Sequence, residues 1–218
     1  MSIADYGFAI WETFYVTVLS TAFALVLGLP LGVLLVAGDK DGVLPLPDWL
    51  MHILNIVINI LRSVPFLILM ICVFPLTRVI VGTTVGTKAT IVPLVVAAFP
   101  FVARLVETSL RELDEGVVEA AQSMGATPFQ IITKVMIPEC LPGLISSMTT
   151  ALTTILGYSA MSGVIGGGGL GKIALSYGYY RYQTDIMIVC VILLVLMVQV
   201  FQSAGTFWAT RSDKRLRK

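Results

Sequence analysis

The chain has 218 residues, of which 57% are apolar and 12% charged, and its net charge is +1. The apolar residues fall in long blocks, which excludes a soluble globular domain and reads as an all-α integral membrane protein. A balance this close to neutral says little about partners beyond the local basic tail, and no nucleic-acid partner is expected.

A helix needs roughly 20 apolar residues to cross the hydrocarbon layer, and five blocks meet or approach that length. The first predicted span is about 14–37. No Lys or Arg precedes Lys40, so the basic start of a signal peptide is missing, and retention as a span is expected. Trp11, Phe14 and Tyr15 fit an aromatic anchor at the outer headgroup level. The second predicted span, about 53–76, carries Asn55, Asn59, Arg62 and Ser63 on one helical face. A charge deep in a bilayer costs about 3 kcal/mol or more, so Arg62 is expected to face protein or water. This face is a candidate translocation path, with helix packing as the competing reading. His52, the single histidine, reads as an interfacial residue at the helix start.

The third predicted span, about 89–106, contains Pro93 and Pro100, which neighbouring helices make tolerable. A polar coupling loop follows, about 107–138. Val117, Ala120, Ala121 and Met124 recur at helical spacing and predict a short helix with an apolar face for a partner. Gly125 is placed to end it in the left-handed region. Thr127, Pro128 and Gln130 then predict a capping box opening a second helix. Two capped helices joined at a glycine make a rigid knob.

The fourth predicted span, about 143–165, bears a stripe of Gly143, Ser147, Thr150, Thr154, Tyr158 and Met161. The stripe either lines a path or packs against a helix, and Met161, at its bulky end, is a candidate gate. The run Gly166 to Lys172 satisfies part of a phosphate-loop pattern, but Ile173 stands where Ser or Thr is needed and no strand precedes it. The run reads instead as a compact, flexible outer turn. A serine protease centred on Ser159 lacks a histidine base. The last predicted span is about 186–207.

Cys72, Cys140 and Cys190 show no metal or disulfide spacing and read as packing residues. No catalytic or metal-binding set is expected. With five spans, Lys40, Arg104, Arg111, Lys134 and the tail Arg211, Lys214, Arg215, Arg217 and Lys218 share one side. The positive-inside rule therefore predicts the C-terminus and the coupling loop inside and the N-terminus outside.

Glu119, Ala120, Ala121, Gly125, Val135, Ile137 and Pro138 resemble the coupling motif of permease subunits of ATP-binding-cassette importers. Val135 and Ile137 replace Ile and Leu and keep the apolar character. The resemblance implies that Glu119, Ala120, Ala121, Met124, Gly125, Ala126, Pro128 and Pro138 dock on a separate ATPase subunit. ATP and Mg would be bound there, and this chain would bind no cofactor. The segments 62–66, 78–83, 157–161 and 166–171 with 177–179 are similar to those of methionine-importer permeases. That likeness implies a multi-pass bacterial inner-membrane protein carrying L- and D-methionine. It also implies a methionine-binding lipoprotein outside. Five spans hardly enclose a gated path, so a homodimer with two ATPase subunits is expected. A permease for another amino acid or an osmolyte is the nearest alternative. An ion channel or an intramembrane enzyme would have no use for the knob.

Overall fold

The computed structural model describes residues 2–213, all of whose regular elements are helical. Lys214, Arg215, Arg217 and Lys218 of the expected basic tail lie outside the described residues. In chain order the helices are α1 (Ile3–Ala37), α2 (Asp48–Ser63), α3 (Phe66–Cys72), α4 (Phe74–Val81), α5 (Ile91–Arg111), α6 (Glu115–Ser123), α7 (Pro128–Ile131), α8 (Ile137–Glu139), α9 (Leu141–Met161), α10 (Gly169–Ile173) and α11 (Thr184–Ser212). Wider π-type turns occupy Ile132–Met136 and Ala174–Tyr179, and a 3₁₀ turn, Ser162–Ile165, follows α9.

Among the described residues, α1, α5, α9 with its 3₁₀ turn, and α11 are long and apolar enough to cross a membrane. A fifth crossing exists only if α2 and α3 are taken together as one bent pair. The second block is therefore not the single helix expected over 53–76. Pro65 lacks an amide proton and disfavours helical geometry at Val64 before it, so the chain leaves the helix at Ser63 and restarts at Phe66. A second interruption at Val73 sends Phe74 and Pro75 into α4. Helix α1 begins well before residue 14 because Ser2 and Asp5 cap it reciprocally. The Ser2 amide donates to Asp5 Oδ2 at 2.8 Å and the Asp5 amide to Ser2 Oγ at 3.4 Å.

Two compact units emerge. One holds the chain up to Ala24, Val64–Ala98 and Thr150–Ser203; the other holds Leu25–Ser63, Phe99–Thr149 and the chain from Ala204. In the first unit Ala9, Leu170, Ile173 and Cys190 form a buried cluster, covered by Tyr6, Ile10 and Leu193. Helix α1 supplies the cap for α10. The Gly169 amide donates to Glu12 Oε2 at 2.8 Å and the Leu170 amide to Thr13 Oγ1 at 2.9 Å, while the Thr87 hydroxyl donates to the other Glu12 oxygen.

The glycine run is thus a packed turn rather than the flexible one expected. Gly166 and Gly169 adopt φ of +82° and +77°, which L side chains resist. At Gly163 a Cβ would lie 2.6 Å from the Gly171 backbone. Glycine serves close approach here as much as it serves turning.

The second unit is closed by the same device between α1 and α5. A Cβ on Gly28 would stand 2.7 Å from Val102, and one on Gly32 would stand 2.6 Å from the Ala103 carbonyl. Leu35, Val102, Ala103, Val106 and Leu110 are buried around that line. Small residues four apart let two backbones meet where lipid offers no hydrophobic drive.

Replacing Glu12 by Ala leaves the Gly169 amide and the Thr87 hydroxyl without their charged acceptor. We expect a loss of about 1–3 kcal/mol, read as a lower thermal midpoint in detergent micelles. Glu12→Gln keeps one carbonyl acceptor and should lose less. A Glu12→Ala midpoint equal to the parent's would refute this capping role.

Candidate functional site

Three groups of candidate residues acquire geometry in the structure: the knob, the polar face of α2, and the stripe along α9. The knob is fastened at both of its helix ends. Asp114 caps α6 by accepting the Gly116 amide at 2.8 Å. At its other end Gly125 sits at φ +79°. The Ala126 amide reaches the Ala121 carbonyl at 3.1 Å and the Gly125 amide reaches Gln122 at 2.9 Å, the paired bonds of a Schellman motif. Thr127 and Gln130 then exchange the two bonds of a capping box, at 2.9 and 3.4 Å.

The face expected for a partner divides. Ala121 is only 4% exposed and belongs to the knob's own core with Ile131 and Met136. Val117, Met124 and Phe129 stand 40%, 82% and 75% exposed, and Glu119, Ala120, Gly125 and Pro128 are exposed with them. Ala126 and Pro138 are half-buried. A helix in a two-helix hairpin must spend one side on its partner, so Ala121 turns inward. Phe129, absent from the sequence-derived set, takes its place on the surface.

On α2, Asn55 is half-buried and Asn59, Arg62 and Ser63 are exposed. The residue that organises them is Arg104 of α5, which sequence spacing did not single out as a site residue. One terminal nitrogen of Arg104 donates to Asn55 Oδ1 at 2.6 Å and Asn59 Oδ1 at 3.1 Å, and the other meets Glu107 at 2.5 Å. Glu107, itself buried, also receives Arg111 Nε at 3.1 Å, and Arg111 reaches Asp39 at 2.9 Å. The Arg111 guanidinium, assisted by the Lys40 amide, holds the Asp39 carboxyl below the usual carboxylate range. An Arg and a Glu three apart within an apolar helix was the legible signal for this network.

Along α9 the stripe also divides. Ser147 lies 2.8 Å from Ser109 of α5, and a Cβ on Gly143 would lie 3.7 Å from the same serine, so that end packs helix on helix. Thr154 returns its proton to the Thr150 carbonyl at 2.8 Å, the usual way a hydroxyl is satisfied inside a span. Tyr158 stacks on Phe66, with centroids 4.6 Å apart and planes 7° from parallel. Met161, at the last turn of α9, is exposed. Cys140 and Cys190 are buried as packing residues, whereas Cys72 is exposed on the side of α3 that also carries exposed Ile68.

A family model described as the binding-protein-dependent transport system inner membrane component matches residues 24–218. The chain is 51% identical over 208 residues to the "Probable D-methionine transport system permease protein MetI" of Vibrio cholerae serotype O1, spanning 95% of this chain and 92% of that one. It is 49% identical over 154 residues to the "D-methionine transport system permease protein MetI" of Escherichia coli (strain K12), with 71% and 70% covered. A solved structure described as an inward-facing conformation of the MetNI methionine ABC transporter overlays 98% of this chain on all of that one. The TM-score is 0.95 at 43% identity. A crystal structure of an amino acid ABC transporter with histidines overlays 94% of this chain on 93% of that one with a TM-score of 0.78. At 18% identity this is a likeness of fold alone.

Removing the Arg104 side chain leaves buried Glu107 with Arg111 alone. Breaking one side of a buried ion pair costs about 3–5 kcal/mol, and the remaining arginine puts Arg104→Met near the lower end. Thermal unfolding in detergent should show that loss, and Arg104→Met with Glu107→Leu should recover part of it. A double variant less stable than the single one would contradict the account.

Proposed function

The chain belongs to the binding-protein-dependent transport system inner membrane components, and we propose on that premise that it is the permease subunit of an ATP-driven importer of methionine, L- and D-. The observation that carries the substrate is the near full-length correspondence with proteins whose names state methionine transport. The chain moves a solute and makes or breaks no covalent bond.

In this reading α1, the bent pair α2 and α3, α5, α9 and α11 form five crossings. The N-terminus is outside and the C-terminus inside, as the distribution of Lys and Arg supports. Two copies surround a path on a two-fold axis, and an extracytoplasmic binding lipoprotein delivers the solute. Each copy carries one ATPase subunit, where ATP and Mg reside. The contacts to that subunit are Val117, Ala120, Met124 and Phe129, with Glu119, Gly125 and Pro128 beside them. Ala121 holds the knob together from within, and Ala126 and Pro138 anchor its return.

The physical requirement on such a knob is stiffness. Closure of two ATPase subunits would displace it, and a soft loop would absorb that motion. Bonds at both helix ends leave the knob few internal degrees of freedom, so the displacement passes to the spans as alternating access. Asn55, Asn59, Arg62 and Ser63 of α2, with Thr150, Thr154 and Tyr158 of α9, border the path, and Met161 gates it.

Vesicles holding this permease, its ATPase and its binding protein should accumulate labelled methionine only with ATP on the knob side. Accumulation of glutamine or glycine betaine with methionine ignored would overturn the substrate and leave the importer standing.

The knob makes its own prediction. Gly125→Val forces a β-branched residue to positive φ at a cost of about 1–2 kcal/mol, although open space surrounds the position. The variant should insert normally yet lose ATPase attachment or substrate-stimulated hydrolysis, both measurable after co-purification. Ordinary stimulation in that variant would remove the knob from the coupling route.

A further inference from the structure

Arg62 is the penultimate residue of α2 and is exposed. Among the described residues it has neither an ion pair nor a hydrogen bond, whereas Lys40, Arg104 and Arg111 each pair with a carboxylate. Fourteen residues separate it from Asp48, about 21 Å along the helix at 1.5 Å per residue. Asp48 pairs with Lys40 at the solvated end of α2, so Arg62 falls within the roughly 30 Å hydrocarbon layer. A guanidinium at that depth must face protein or a water-filled space.

The surroundings of Arg62 on α2 are specialised for an acceptor. Arg104 occupies the carbonyl oxygens of both Asn55 and Asn59, which turns the Asn59 amide nitrogen away from it. Asn59 precedes Arg62 by three residues, so the two share a face. Ser63 spends its proton on the Asn59 carbonyl at 2.7 Å, and Asn55 spends its amide on the Met51 carbonyl at 2.9 Å. What remains unspent is the five-donor fork of Arg62 and the amide of Asn59. Glu107 is engaged by two arginines, Asp39 by Arg111 and Asp48 by Lys40.

We propose that Arg62 recognises the carboxylate of the solute in transit, taking both oxygens in its fork while the Asn59 amide offers a further donor. The proposal rests on the importer reading and adds to it the residue that recognises the carboxylate of the cargo. A fork that pairs with two oxygens at once is a geometry that lysine cannot reproduce.

The test uses the complete complex of permease, ATPase and binding protein in vesicles, with methionine uptake and ATP hydrolysis measured in the same sample. Arg62→Gln should lower the methionine delivered per ATP at least tenfold, and Arg62→Lys should fall between the two. An unchanged ratio in Arg62→Gln overturns the proposal. So does a proportional loss of uptake and hydrolysis in both variants, which would mark a structural role.

Should Arg62→Gln fail to assemble, Arg62→Cys in a chain whose Cys72, Cys140 and Cys190 are replaced can be modified after assembly by a methanethiosulfonate, which forms a mixed disulfide with the thiolate and releases methanesulfinate. Restoration by a cationic aminoethyl methanethiosulfonate and not by its anionic sulfonatoethyl counterpart supports the proposal; restoration by both or neither overturns it. Failure of the substrate reading is seen separately, in the parent complex. If that complex carries another carboxylate solute the same ratio is measured with it, and a carried solute without a carboxylate overturns the proposal outright.

Discussion

Inside a bilayer one helix gains nothing by hiding apolar surface against another, because lipid is as apolar as the partner. The helices of this chain are therefore held where backbones come close enough for dense packing and where polar groups find one another. Gly28 and Gly32 bring α1 within van der Waals reach of the α5 backbone at Val102, Ala103 and Val106. Gly205 of α11 receives Thr149 of α9 in the same manner. Both contacts rely on a missing Cβ, and neither survives a side chain without a shift of backbone or β-branched neighbours.

Polar joints complete what packing begins. Glu12 and Thr13 cap the turn that opens α10, and Arg104 binds two asparagines of α2 while it pairs with Glu107. Each joint replaces water that the membrane denies, since a buried donor or acceptor left alone costs more than the bond contributes in water. Thr154 on α9 and Thr21 on α1 have no such partner and return their protons to carbonyls one turn back. Some polar groups thus tie helices together and others merely satisfy themselves. Arg62 belongs to neither class, which sets it apart from Arg104, Arg111 and Lys40.

The break between α2 and α3 serves the same economy. A helix interrupted at Val64 and Pro65 frees backbone groups that a continuous helix would have used, and within a membrane such interruptions are tolerated where protein or a water-filled cavity receives them. The interruption follows the face that carries Asn59, Arg62 and Ser63.

Much of this architecture was written locally and so was legible in the residues alone. The long apolar blocks, the capping box at Thr127 and Gln130, the left-handed glycine at position 125 and the pair of short helices around it depend on neighbours within a few positions. The same holds for the break at Pro65 and the Ser2–Asp5 cap, although the block pattern hid the first and the apolar count passed over the second. Other features required the fold because their partners are far apart in sequence. Glu12 meets Gly169 across 157 residues, Arg104 meets Asn55 across 49, and Ser109 meets Ser147 across 38. Helical periodicity says which residues share a face, but not which faces meet. It therefore offered Ala121 to a partner and Ser147 to a path, and only the packing of one helix on another turned both inward.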